Sequence, residues 1–524
     1  MTGTGLSAPS ILFFDHAQHK RIMTSQLDIV LRGASVLDGS GTAAFAADIG
    51  IAGERIAAVE RPGSLNGTTR VDLTGLTLAP GFIDVHTHDD RQALAAPEMW
   101  AKLSQGVTTV ITGNCGISLA PWHADKPPPA PLTLIGAQSD YRFSTMAAYI
   151  AAVTAAHPAV NVGTLIGHST LRVNILDDVN CPASPSDIAR MSELLGEGMR
   201  AGALGMSSGL FYPTARVAAN SEVIALARVA ARYGGIYTSH IRDEHDGVLD
   251  ALAEACDAGE AAGLPVVLSH HKCAGPANWG RSEQTLAFIA ERQRRHPIGL
   301  DAYPYVAGST ILDPTYVDGV IRILITWSKS HPDMAGRDLS DIAAAWGVDQ
   351  RTAAERLLPA GAVYFQMSEI DVRRILAYPH TMIGSDGLPH DTHPHPRLWG
   401  AFTRVLGHYC RDEQLFHLAE AVRRMTTLSA DTFGLKRRGR IAAGCAADLV
   451  AFDAAAVRDA ATFGDPKRPS IGICHVWVNG RAALEHGRST GVRAGIVLHR
   501  DRERYGNNSE SNGVAARGMI APRC

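Results

Sequence analysis

Pro80-Gly81-Phe82-Ile83-Asp84-Val85-His86-Thr87-His88 is where the chain changes its pattern. Before it, runs such as Asp28-Ile29-Val30-Leu31-Arg32-Gly33 and Ala47-Asp48-Ile49-Gly50-Ile51-Ala52-Gly53 alternate in character and end in Gly turns, which predicts short antiparallel strands. From residue 80 onward, short apolar runs alternate with amphipathic helical stretches. Eight such runs occur, at 82–88, 107–115, 160–168, 203–209, 235–242, 265–271, 298–305 and 381–387. Between them lie segments such as Ser184-Pro185-Ser186-Asp187, a helix cap, followed by the apolar face Ile188, Met191, Leu194 and Leu195. Eight strand–helix alternations predict an α/β fold, a (β/α)8 TIM barrel.

The gap between the seventh and eighth runs is longer than one helix needs. It contains the helical stretch 338–346, and the segment 306–380 is expected to be an inserted lid over the barrel mouth. Strand patterns return after the barrel at 440–450 and 476–480. The expected organisation is an N-terminal extension (1–24), a small β-sandwich from both chain ends (25–79 and 440–490), the barrel (80–439), and an exposed tail (491–524).

Composition narrows the function. Of 524 residues, 46% are hydrophobic and 19% charged, an ordinary globular balance. Lys plus Arg is 49 and Asp plus Glu is 52, without the basic excess that a nucleic-acid surface needs. No apolar run approaches the roughly 20 residues of a membrane helix, and Ile11-Leu12-Phe13-Phe14 is too short for a secretory core, so a cytoplasmic location is expected. Eight cysteines in a chain of this length, none in a C-x-x-C pair, do not form a disulfide scaffold. Nothing in the sequence sets the oligomeric state.

The chemistry gathers at strand ends. In an extended run, His86 and His88 point to one side, at the end of the barrel where active sites sit. Alone, two such histidines are as compatible with ordinary half-exposed side chains as with a metal pair. Cys115 closes the second run, His240 the fifth, His270-His271 the sixth and Asp386 the eighth. Five strand ends with metal-binding side chains on one face point to a divalent metal, and thiolate with imidazole favours zinc. His168 could serve as a polar group at the third strand end, and His390, His393 and His395 read as a loop cluster.

These residues, with Gly113-Asn114-Cys115-Gly116, Gly205-Met206-Ser207-Ser208-Gly209-Leu210, Ser269-His270-His271-Lys272-Cys273-Ala274-Gly275, Asp301-Ala302-Tyr303-Pro304-Tyr305 and Gly384-Ser385-Asp386-Gly387-Leu388-Pro389-His390-Asp391, resemble the amidohydrolase superfamily. Within it they resemble the N-acyl-D-amino-acid deacylases, over about residues 26–490. The resemblance implies that Cys115, His240 and His270 hold one tight zinc, and that His86, His88 and Asp386 form a second, weaker site. It implies Asp386 as general base, and Arg397, Lys272, Tyr303 and Ser309 as ligands of the substrate carboxylate. Phe211, Tyr364 and Met367 match positions that line the side-chain pocket. The expected reaction is zinc-dependent hydrolysis of the acyl amide of an N-acyl-D-amino acid, a small-molecule substrate, with apolar side chains preferred. A deacylase of N-acyl-D-glutamate or N-acyl-D-aspartate is the near alternative. A cyclic-amide hydrolase would carry a lysine at Cys115, and a barrel without catalytic function would not need ligands at every strand end.

Overall fold

The computed structural model describes residues 26–500. Residues 1–24, expected as an extension, lie outside the described residues, as does the end of the tail. Eight parallel strands form one sheet: β1 (Phe82–Asp84), β2 (Val107–Thr112), β3 (Asn161–Gly167), β4 (Gly205–Gly209), β5 (Tyr237–His240), β6 (Val266–Leu268), β7 (Ile298–Ala302) and β8 (Thr381–Ile383). Their order in space is their order in sequence, β1 beside β2 through to β7 beside β8. All eight are buried almost throughout, as strands covered by helices on one side and packed against each other on the other must be.

The capped segment at Ser184 forms the helix Pro185–Ala201, where the Ser184 hydroxyl accepts from Asp187 N and Gly202 ends the last turn in a left-handed conformation. Its buried face, Met191, Leu195 and Met199, packs on the barrel core. Between β1 and β8 there is no ladder. The two strands meet only beyond their ends, where Thr87 bridges Gly387 and Asp386 N donates to the His86 carbonyl at 2.8 Å.

The chain ends make two further sheets. One has four strands, Arg55–Glu60, Asp48–Ala52, Leu27–Arg32 and Gly67–Asp72 in spatial order. The other has seven and mixes both ends of the chain, with Thr77–Pro80 paired to Leu449–Phe452. Leu31, Ile49 and Ile51 from the first sheet pack with Leu78, Leu449 and Trp477 from the second.

The insertion between β7 and β8 is a three-stranded antiparallel sheet with Ala360–Tyr364 at its centre, flanked by Gly308–Ile311 and Ile323–Ser328. It carries the helices Leu339–Trp346 and Gln350–Leu357 on a core of its own. Two details differ from the sequence expectation. The helix Glu369–Ala377 falls within the expected lid but belongs to the barrel, where Asp371 caps the start of the helix Ser282–Gln293 through Gly280 N and Ser282 N. Residues 495–498 fall within the expected exposed tail but run back to the barrel: Gly495 N donates to the Pro158 carbonyl, Val497 bridges Val162, and Leu498 is buried. The polar stretch after residue 500 concealed this short apolar run, Gly495-Ile496-Val497-Leu498, whose Val497 and Leu498 pack on the barrel cores. Among the described residues, no helix is long and apolar enough to cross a membrane.

Candidate metal centre

Cys115 stands in the turn that leaves β2. At Gly113, φ is +77° and an added Cβ would lie 2.2 Å from the Leu165 carbonyl oxygen, so no other residue fits. The Ser207 hydroxyl, from β4, closes the turn by donating to the Gly113 carbonyl and accepting from Gly116 N. Cys115 itself takes a left-handed backbone, φ 52°, and so do His270 at 36° and Asp386 at 48°. Such conformations cost non-glycine residues about 1–2 kcal/mol each and persist where the surroundings over-determine them.

The turns aim five strand ends at one point. Cys115 Sγ lies 3.2 Å from His86 Nε2 and 3.3 Å from His270 Nε2. His270 Nε2 lies 3.0 Å from His240 Nδ1. Asp386 Oδ1 is 3.2 Å from His88 Nε2 and 3.6 Å from His86 Nε2. The donor atoms form two groups that share Cys115, one with His240 and His270 and one with His86, His88 and Asp386, and the atoms of each group lie within 4.8 Å of one another. All are buried.

Carboxylates brace the rings from behind. Asp301 Oδ1 accepts from His270 N at 2.9 Å and lies 3.3 Å from His86 Nδ1. Glu244 lies 3.1 Å from His270 Nδ1 and accepts from Lys272 Nζ. Phe211 stacks on His240, ring centres 5.3 Å apart, with Tyr316 stacked on its own ring 5.4 Å away.

The electrostatics follow from this crowding. Burial disfavours a Cys115 thiolate, but His86 and His270 outweigh it and hold the thiol well below its usual pKa. Burial likewise opposes an ionised Asp386, yet Arg397, His88 and the other imidazoles bring it well below the usual carboxylate range. Burial lowers the pKa of His240 and keeps it neutral at pH 7. A thiolate and a neutral imidazole are the forms a metal binds. This donor set fits zinc: soft sulfur with imidazole nitrogens, the Cys115 Sγ, His240 Nδ1 and His270 Nε2 atoms converging in a buried site.

A cavity opens beside this cluster. His88, His240, His270 and Asp386 line it, together with Lys272, Tyr303, Ser309, Phe211 and Tyr364. The insertion between β7 and β8 supplies Ser309, Ile311, Tyr316 and Tyr364 to its wall. Arg397 is fully buried behind Tyr303, its guanidinium 4.4 Å from that ring. It pairs with Asp386 at 2.8 Å and donates to the Ser309 carbonyl at 3.1 Å. Met367 lies elsewhere, in a smaller apolar cavity with Tyr305, Val372 and Ile375. His271 turns away from the cluster to Thr285, at 2.8 Å. His168 pairs with Glu222 at 2.7 Å in a buried set with Arg172, and His395 is used by the backbone of Ala307 and Arg397.

Sequence reasoning missed Glu244, Asp301 and Ser207. Asp301 carries a visible signal, a carboxylate at the end of the otherwise apolar β7. Glu244 sits in Arg242-Asp243-Glu244-His245-Asp246, a charged run that reads as solvated loop.

The Amidohydrolase family model matches residues 69–300 and 330–483. A D-aminoacylase from Alcaligenes xylosoxydans xylosoxydans is 50% identical over 474 residues, 90% of this chain and 98% of its own length. An N-acyl-D-glutamate deacylase from the same organism is 47% identical over 480 residues, 91% of this chain and 98% of its own. The crystal structure of an N-acyl-D-glutamate deacylase from Bordetella bronchiseptica, complexed with zinc and a phosphonate mimic of the tetrahedral intermediate, superposes with a TM-score of 0.88 at 44% identity, covering 91% of this chain and all of the other.

If the shared thiolate anchors the tight metal, purified protein carries zinc that survives dialysis, and Cys115→Ala loses it while the fold, followed by circular dichroism, is kept. Elemental analysis that finds full zinc in Cys115→Ala would remove Cys115 from the site.

Proposed function

The chain belongs to the amidohydrolase family, and from that premise we propose that it is a zinc-dependent deacylase that cleaves N-acyl-D-amino acids to a carboxylate and the free D-amino acid. The observation that carries this reading is the meeting, at one cavity, of a thiolate–imidazole zinc set and a carboxylate ionised at neutral pH.

Zinc held by Cys115, His240 and His270 supplies a Lewis acid that polarises an amide carbonyl and makes water a nucleophile near neutral pH. The rest falls to side chains. Asp386 Oδ1 accepts a proton from the attacking water as the C–O bond forms, and returns it to the amide nitrogen as the C–N bond breaks. Arg397, bonded to the other carboxylate oxygen, keeps Asp386 oriented. The end of the cavity with Lys272, Tyr303 and Ser309, where Arg397 lies against Tyr303, takes the substrate α-carboxylate. Lys272 has three ammonium protons, of which Glu244 takes one; His270, facing the cluster through Nε2, directs its Nδ1 proton to the same Glu244 carboxylate. The insertion forms one wall of the cavity and narrows the access of bulk water to the reacting amide.

We further infer a preference for apolar side chains. Leu134, Phe211, Ile311, Tyr316, Tyr364 and Leu388 make the apolar part of the remaining wall. The cation they accompany, Arg216, spends two of its five N–H groups on the Phe211 carbonyl, from Nε and Nη2 at 3.1 and 2.9 Å. A second substrate carboxylate would give up its hydration against these side chains, with the remaining Arg216 N–H groups as the charge left to meet it. Met367, outside this cavity, supports the wall from behind rather than touching the side chain. A cytoplasmic setting suits the chemistry, since the described cysteines are all free and Cys115 must stay reduced.

The substrate panel tests the reading. N-acetyl-D-methionine is expected to be hydrolysed, its L-enantiomer poorly, and N-acetyl-D-glutamate with a lower kcat/KM. Turnover of the L-enantiomer at an equal rate would contradict the assignment, and a higher kcat/KM for the glutamate would reverse the side-chain inference alone. In Asp386→Asn, kcat is expected to fall by roughly 10²–10⁴-fold, the usual contribution of a positioned general base, with the tight zinc retained. Wild-type kcat in a zinc-loaded Asp386→Asn protein would show that another group moves the proton.

A further inference from the structure

The barrel closes where its sheet does not. Between β1 and β8 the backbone supplies one bridge, Thr87 to Gly387, and the bond from Asp386 N to the His86 carbonyl. The rest of the seam is side chain. Lys102, on the short helix Trp100–Leu103 that follows β1, is only 1% exposed. Its ammonium donates to Asp84 Oδ2 and to Ser385 Oγ, each at 2.8 Å, and lies 3.2 Å from Asp89 Oδ2.

Each partner leads directly to the metal centre. Asp84 ends β1 two residues before His86, and its other oxygen accepts from Ser385 N at 2.8 Å and from His86 N at 3.4 Å. Asp89 follows His88. Ser385 precedes Asp386, and its hydroxyl also accepts from Gly387 N at 3.3 Å. The approach is close: a Cβ on Gly384 would stand 2.5 Å from the His86 Cβ. One buried cation therefore spans both segments that carry His86, His88 and Asp386. Cys115, His240 and His270 arise from β2, β5 and β6, away from the seam.

We propose that Lys102 is a positioning residue, which through Asp84 and Ser385 sets the Asp386 carboxylate against His86 and His88. It thereby controls the second metal position and proton transfer, and leaves the tight Cys115–His240–His270 position untouched. A buried ammonium between two buried carboxylates is retained poorly for stability alone, since apolar residues of similar size commonly serve as well. Here the ions fix the register of two strands that share no ladder.

This inference rests on the zinc-hydrolase reading above, and its test separates the two. Ser385→Ala and Lys102→Met are stripped of metal, titrated with Co2+ followed by visible absorption, and assayed on N-acetyl-D-methionine. Ser385→Ala removes one arm while Lys102 stays balanced by Asp84 and Asp89, so it decides the matter if Lys102→Met does not fold. The first cobalt equivalent is expected to bind both variants as it binds the wild type. The second is expected to bind 10–100-fold more weakly, the range found when a group that braces a metal ligand is removed, and kcat to fall by about the same factor with KM unchanged. An unchanged second equivalent and unchanged kcat in Ser385→Ala would overturn the proposal. Equal weakening of both equivalents would do so too, since it would mark a general structural role. A wild type that takes up only one equivalent would leave Lys102 no second position to set, and would overturn it as well. A wild type that binds no cobalt would overturn the zinc reading itself, and this inference with it.

Discussion

A thiolate buried in a protein interior must be matched by positive charge, and the centre of this molecule is built around that requirement. Cys115 is enclosed by His86, His240 and His270, whose nearest nitrogens come within hydrogen-bond or metal-bridging range of the sulfur and of one another. Protonated imidazoles can meet the requirement in part. A divalent cation meets it fully, because every inward-facing donor then points its lone pair at one charge. The left-handed backbones of Cys115, His270 and Asp386 are the conformational cost of aiming those groups, and the barrel bears it because the turns are held by Ser207, Asp301 and the β1–β8 seam.

Charge is then arranged outward in alternating layers. Around the thiolate come imidazoles. Around the imidazoles come Asp301, Glu244 and Asp386, with Lys272 beyond Glu244 and Arg397 beyond Asp386, while Lys102 is paired separately with Asp84 and Asp89. The alternation lets a dense group of ionisable side chains stay buried. It also separates two places: Lys272 lines the cavity, while Lys102 lies in the β1–β8 seam. A D-aminoacylase and an N-acyl-D-glutamate deacylase resemble this chain almost equally well, so overall similarity does not choose between their substrates.

The amino-acid sequence carried the part of this that repeats or that uses a distinctive residue type. Eight strand–helix alternations made the barrel legible, and His86, His88, Cys115, His240, His270 and Asp386 were visible because each ends a strand. The groups that brace them were not. Glu244 lies in a charged run indistinguishable from surface, and Lys102 sits on a four-residue helix whose burial arises only when the barrel closes over it. Met367 was read into the side-chain pocket because position along the chain says nothing about which of two adjacent cavities a side chain enters. The barrel attachment of residues 495–498 was hidden because four residues, Gly495-Ile496-Val497-Leu498, are too short a run to stand out beside the Arg- and Asn-rich end of the chain.

The central claim is that the Cys115 thiolate, with His240 and His270, holds the tight zinc. Zinc K-edge X-ray absorption on protein loaded with one equivalent tests it most directly. The account predicts one sulfur at about 2.3 Å and two imidazole nitrogens at about 2.0–2.1 Å in the first coordination shell. A shell of nitrogen and oxygen only, without sulfur, would contradict it.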